Sequence, residues 1–145
     1  VPQDVMDKWI VRKNQIAMVE LFAPVVTFEA MGTSLKGKKV LLFVDSEPIE
    51  GALVKGYSCR EDMTELTGGF WDLVTEQGAI VYICRVPTDS NPGDLPTRKE
   101  KFHRFEHLGW KRMHIENSEY LSSGGDVRAW AKVTLKRALA PDAHP

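Results

Sequence analysis

The sequence predicts an α/β fold built around parallel strands. Two apolar runs carry the prediction, Val40 to Val44 in "VLLFVDSE" and residues 79–86 in "AIVYICRV". Each is short, rich in aliphatic and β-branched residues and flanked by turn formers, which is how a buried strand reads. The third observation is order. One helix-patterned segment precedes the first run, and two more lie between the runs. Strands joined through helices form crossover units and run parallel. The predicted strands, about 40–45 and 79–86, are therefore expected to be covered on both faces.

The lead-in, residues 1–13, carries Pro2, Asp4, Asp7, Arg12 and Lys13 and reads as irregular or as a short helix. Asn14 is a candidate N-cap for the next segment. In "QIAMVELFAPVVTFEAM", Ile16, Val19, Ala23, Val26 and Ala30 recur at helical spacing, while Leu21, Phe22, Val25 and Phe28 cover much of the other side. This helix is expected to be heavily buried. Gly32 and "LKGKK" close it, and "KGKK" reads as a solvated loop.

After the first strand, Ser46 is placed to cap a short helix, Pro48 suits its first turn and Gly56 its end. A further helix spans about 61–77. Its stripe is Met63, Leu66, Phe70 and Leu73, interrupted by Gly68 and Gly69 at about 1 kcal/mol each relative to alanine. "PTDSNPGDLPTR" follows the second strand as a turn-rich segment.

Past Arg98 the composition changes. Arg98, Lys99, Lys101, Arg104, Lys111 and Arg112 face only Glu100 and Glu106, with Phe102, Phe105 and Trp110 interleaved. Such a stretch can bind RNA by phosphate contacts and stacking, or lie on a partner or on the chain's own core. "NSEYLSSGG" reads as a link. "DVRAWAKVTLKRAL", residues 126–139, reads as an amphipathic helix with Asp126 as N-cap and Val127, Trp130 and Val133/Thr134 along one stripe. The organisation is a lead-in at 1–13, an α/β core at 14–98 and a basic, aromatic arm at 99–145.

Bulk properties restrict the partner classes. The chain has 145 residues, about one domain, with 43% hydrophobic and 27% charged residues. A net charge of −1 gives no global drive toward nucleic acid. Cys59 and Cys84 make no disulfide framework and read as structural, which favours a reducing compartment. No apolar run reaches the ~20 residues of a membrane span. Because the chain starts at Val1, processing or excision is compatible with it, and an intracellular location, an organelle included, is the expectation. Trp9, Trp71 and Trp130 read as core or interface residues.

Three acids stand at chemically useful places. Asp45 ends the first strand, Asp94 lies in the turn segment after the second, and Glu20 interrupts an apolar helix. Functional groups of parallel sheets gather beyond the strands' carboxyl ends. Carboxylates that converge there repel one another and call for a cation, Mg²⁺ or Mn²⁺ for an all-oxygen set. Such ions activate water for phosphodiester cleavage. Each acid equally fits a solvated or capping role. "HRFEH" spaces His103 and His107 for zinc with Glu106 as base, but no third ligand follows in recognisable form.

"MVELFAPVVTFEAM" resembles the helix of ribonuclease H domains that carries an acidic "MEL" or "LEL" motif. "VLLFVDSEPIEGALVKG" is similar to the strand and helix that follow it there, and "RVPTDSNPGDLPTR" resembles the closing "S-x-x-N-x-A-D-x-x-S-R" segment of retroelement reverse transcriptases. The resemblance covers roughly residues 12–98. It implies a partial ribonuclease H-like fold, and Glu20, Asp45 and Asp94 as three of four carboxylates that hold two Mg²⁺ ions for cutting RNA in RNA–DNA hybrids. The family's first three strands, which include its central aspartate, have no counterpart before Asn14, and Asp4 and Asp7 lie on no strand. Pro24 stands one turn after Glu20, where its ring cannot donate to the Glu20 carbonyl and should bend the helix beside that carboxylate, and Gly93 replaces the usual alanine.

These departures set the functional expectation. It is a ribonuclease H-like remnant without catalysis, serving as a structural or binding subunit of a larger protein assembly through its arm, with no cofactor expected. The alternative is a Mg²⁺-dependent ribonuclease H whose remaining strands lie outside this sequence. A second alternative is an RNA-binding module using residues 98–112.

Overall fold

The computed structural model describes residues 1, 3–7, 9–11, 13 and 15–93. Asn14, Asp94, the basic stretch 98–112 and the segment 126–139 lie outside the described residues. The elements are α1 (Gln3–Met6), α2 (Ile16–Met31), β1 (Lys39–Val44), α3 (Glu47–Lys55), α4 (Glu61–Glu76) and β2 (Ile80–Arg85), with single 3₁₀ turns at Gly32–Leu35 and Thr88–Ser90. β1 and β2 pair in parallel, Lys39 opposite Ile80 through Val44 opposite Arg85. The chain is thus α/β in the coarse sense, a two-stranded parallel sheet flanked by helices.

The helix boundaries follow local chemistry. α3 starts after Ser46, which sits at the N-cap position without a side-chain capping bond. Glu47 and Glu50 in the first turn and Lys55 in the last complement the helix dipole. It stops at Gly56, whose φ of 79° is the left-handed conformation glycine adopts without strain. α2 begins at Ile16 with Gln15 at the N-cap position. Gln15 Nε2 donates to Ile10 O at 3.0 Å, joining the lead-in to the helix.

The core lies between the helices and one sheet face. Met63, Leu66, Phe70 and Leu73 are all buried, so the stripe read in α4 is its core face. α2 presents Met18, Leu21, Phe22, Val25 and Phe28 to it. The stripe Ile16, Val19, Ala23 and Ala30 is exposed, and of that set only Val26 is buried. Both sides of α2 are apolar, so spacing alone could not choose between them. With its 3₁₀ extension, Ile16–Leu35 is long and apolar enough to cross a membrane by length and composition, yet here it supplies core side chains.

Polar pins hold the layers in register. Trp71 Nε1 donates to Leu53 O at 2.9 Å, tying α4 to the last turn of α3. Gln77 Nε2 donates to Phe28 O at 2.7 Å, tying the end of α4 to α2. Asp62, buried in the first turn of α4, accepts from the Ile10 N–H at 3.1 Å and from the Met63 N–H at 2.9 Å. Such bonds matter because a buried polar group without a partner costs about 1–3 kcal/mol.

For β1 and β2 the described residues show one of the two expected covers. The sheet was expected to be buried on both faces, but burial alternates along β1. Val40, Leu42, Val44, Val81 and Ile83 pack against the helix core, whereas Leu41, Phe43, Ile80 and Tyr82 are exposed. An unbroken apolar run is what a doubly covered strand requires. Among the described residues all the helix cover lies on one side.

Candidate functional site

The cleft beside β1 has a volume of about 410 Å³. α2 contributes Glu20, Ala23, Pro24, Thr27 and Phe28 to its wall, and the far end of β1 contributes Leu42, Phe43 and Val44. Asp45, Ser46, Asn91 and Gly93 complete the rim, with Ile49 of α3 behind. Successive strand residues point to opposite faces. A cleft walled by three in a row therefore runs along the edge of β1, on the side not paired with β2. It opens beyond the carboxyl ends of both strands, where parallel sheets place their ligands.

Glu20 and Asp45 reach this cleft by different routes. Glu20 lies on the rim of α2 between its buried and exposed sides and is half-buried. Asp45 is the residue at which β1 ends, also half-buried, just before the N-terminus of α3. A carboxylate there meets the positive end of the α3 dipole, and this accounts for the abrupt end of an apolar strand on an acid.

Asp45 is held in place. Asn91 Nδ2 donates to Asp45 Oδ2 at 3.0 Å, and Asn91 Oδ1 accepts from the Gly93 N–H at 2.9 Å. One amide thus fixes the strand-end carboxylate and closes the turn after β2. Asn91 was read from sequence only as part of a turn-forming run. Its place in the closing motif, three residues before Asp94, was the signal that could have given it a role. Pro24 was expected to bend α2 beside Glu20. The helix continues from Ile16 to Met31 with Pro24 buried inside it.

The donor set is oxygen only, two carboxylates with the Ser46 and Thr27 hydroxyls at the same cleft. That chemistry suits a hard divalent cation, Mg²⁺ or Mn²⁺, which keeps several waters and needs few protein ligands. The Asn91 bond occupies one Asp45 oxygen and leaves Oδ1 with no hydrogen bond among the described residues. No group of three or more His, Cys, Asp or Glu side chains with metal-binding spacing occurs among the described residues. Asp94, the third predicted ligand, and the arm residues Arg98, Lys99, Lys101, Phe102, Arg104, Phe105, Trp110, Lys111 and Arg112 lie outside them. So do His103, Glu106 and His107.

The structure therefore brings two of the three predicted acids to one cleft and adds Asn91 as the residue that orients one of them. No protein-family model, no curated protein and no solved structure matches the chain.

Proposed function

We propose that this cleft is part of the metal site of a ribonuclease H-like phosphodiesterase, with Glu20 and Asp45 as two of its carboxylates and Asp94, joined directly to Gly93, as a third. The observation that carries the reading is that Glu20 and Asp45 line one cleft at the carboxyl end of a parallel strand. Carboxylates that face one cleft are a pattern that a bound cation favours. A bound Mg²⁺ would polarise a phosphoryl oxygen and lower the pKa of its water. The chain's part is to hold the ligands. Asn91 orients Asp45, and α2 packed on α4 fixes the height of Glu20 along the cleft.

The expectation of lost activity rested on the central aspartate and first three strands that have no counterpart before Asn14, with Pro24 as a further departure. Pro24 lies within α2, while the described residues before α2 form only the short helix α1 and the sheet among them has two strands, so the remaining ligand and strands of an active site would have to come from elsewhere. The test is Mn²⁺ binding to the full chain, read by electron paramagnetic resonance, together with cleavage of an RNA–DNA hybrid in Mg²⁺. Glu20→Gln and Asp45→Asn should each weaken Mn²⁺ binding more than ~10-fold, and Asn91→Ala by about 10-fold, the scale for a residue that orients a ligand. Binding that is the same in all four proteins would remove the reading. Cleavage that Asp45→Asn abolishes would establish catalysis.

A second reading, a binding subunit without catalysis, is favoured by one observation. Ile10, Val11, Ile16 and Val19 are exposed apolar residues close together in sequence at the start of α2. Exposed apolar residues of this kind can contribute to contact with another protein where they share one surface. Metal-independent co-purification with a protein partner that is lost in Val11→Asp, with no hybrid cleavage, would favour it.

A further inference from the structure

The face of the sheet turned away from the helices has no cover among the described residues. Leu41 is 62% exposed, Phe43 56%, Ile80 51% and Tyr82 55%. Leu41 lies opposite Tyr82 in the pairing, Phe43 is two residues along β1 from Leu41, and Ile80 two along β2 from Tyr82. The four side chains thus form one continuous apolar patch. Parallel pairs are found almost solely with both faces covered, because the crossover geometry and the unbroken apolar run both require it.

The chain itself holds a segment suited to this patch. It continues from Gly93 to Pro145, and within that length residues 126–139 carry Val127, Trp130, Val133 and Thr134 at helical spacing. Arg128, Lys132 and Lys136 take positions between them. A helix of this length is marginal in water alone and gains its stability by burying such a stripe. The connection 94–125 is far longer than needed, since an extended chain spans about 3.3 Å per residue and a six-residue strand only ~20 Å. A tethered segment also acts at an effective concentration near mM, which a second copy of the chain at ordinary protein concentration does not reach.

We propose that residues 126–139 fold back as a helix onto the open face of the sheet, setting Val127, Trp130 and Val133 against Leu41, Phe43, Ile80 and Tyr82. The docking closes the second side of the α/β core and is independent of whether the cleft holds metal.

The test uses the full chain with Cys59→Ser and Cys84→Ser, carrying Tyr82→Cys as a single reporter thiol. Its alkylation should be at least ~10-fold slower in the native protein than in urea. Trp130→Asp should remove the protection, and Lys132→Glu, on the other side of the segment, should leave it. Because Trp130→Asp could act by unfolding the chain, a second arm pairs Tyr82→Cys with Trp130→Cys or with Lys132→Cys under mild oxidation. An intrachain disulfide should form readily with position 130 and poorly with 132. Alkylation of the native thiol at the urea rate, equal crosslinking from both positions, or protection that vanishes on dilution and so reports a second copy, would each overturn the proposal.

Discussion

Phe70→Ala is the sharpest test of how the core is assembled. Phe70 is fully buried on α4. Its ring meets Phe28 of α2 edge-on, centroids 4.9 Å apart at 67°, and the neighbouring Trp71 at 5.2 Å and 76°. Trp71 in turn holds α3 through Leu53 O. Truncating a buried phenylalanine costs about 3–5 kcal/mol in lost transfer energy and residual cavity. The gain in helix propensity, about 0.5 kcal/mol, offsets little of it. Phe70→Leu keeps most of the volume but loses two edge contacts of about 0.5–1.5 kcal/mol each, so about 1–2 kcal/mol is expected. Val54→Ala, on the exposed side of α3, should stay within about 0.5 kcal/mol. Urea unfolding of the full chain gives all three from the shift in midpoint at constant slope. If Phe70→Ala costs no more than Val54→Ala, the packing of α2 on α4 is wrong, and the placement of Glu20 falls with it.

Two further outcomes follow from single residues. Burial raises the Asp72 carboxyl above its ordinary value of 3.8. A carboxyl raised in the folded state binds its proton more tightly there, so its contribution is most favourable below 3.8 and is lost as pH rises through the folded value. The advantage of Asp72→Asn in urea midpoint should therefore grow as pH rises from below 3.8 and then level off, and a pH-independent difference would contradict the assignment. Gly56 and Gly51 form an internal pair, since an added Cβ meets nothing within 4 Å at either. Gly56→Ala should cost about 1–2 kcal/mol because its φ is positive, whereas Gly51→Ala, inside α3, should gain about 0.5–1 kcal/mol. Thermal melts that move the same way for both would refute the backbone argument.

Which parts of this structure could be read from sequence depends on how many answers each pattern allowed. The stripe in α4 had polar residues between its apolar ones, so Met63, Leu66, Phe70 and Leu73 had one place to go. Gly56 and the two apolar runs were equally unambiguous. In α2 the apolar residues circle the helix, and the regular spacing of Ile16, Val19, Ala23 and Ala30 marked an exposed side. The strands were legible only as far as their need for cover, because an apolar run says that cover is needed without saying what supplies it. Glu20 and Asp45 were legible because a charge amid apolar neighbours is costly and so informative. Asn91 was not, since an asparagine beside proline and glycine already has a sufficient reason to be in a turn.

The cleft and the core are one packing problem. Phe28 forms part of the cleft wall and also packs edge-on against Phe70, while its carbonyl accepts from Gln77. Glu20 lies two helical turns before Phe28 on the same unbroken helix, and Leu42 and Val44 of β1 pack on the core just before Asp45. The distance between the two carboxylates is therefore set by how α2 and β1 are each held by the helices behind them. Metal ligands must stay within roughly 0.5 Å of their working positions to be useful. If the cleft holds the proposed metal, a core change that lets α2 shift by that amount should lower metal affinity without touching an acid. The loss of affinity across Phe70 variants should then track the loss of stability, whereas Asn91→Ala should lower affinity with little change in urea midpoint, because its two bonds hold a rim and not the core.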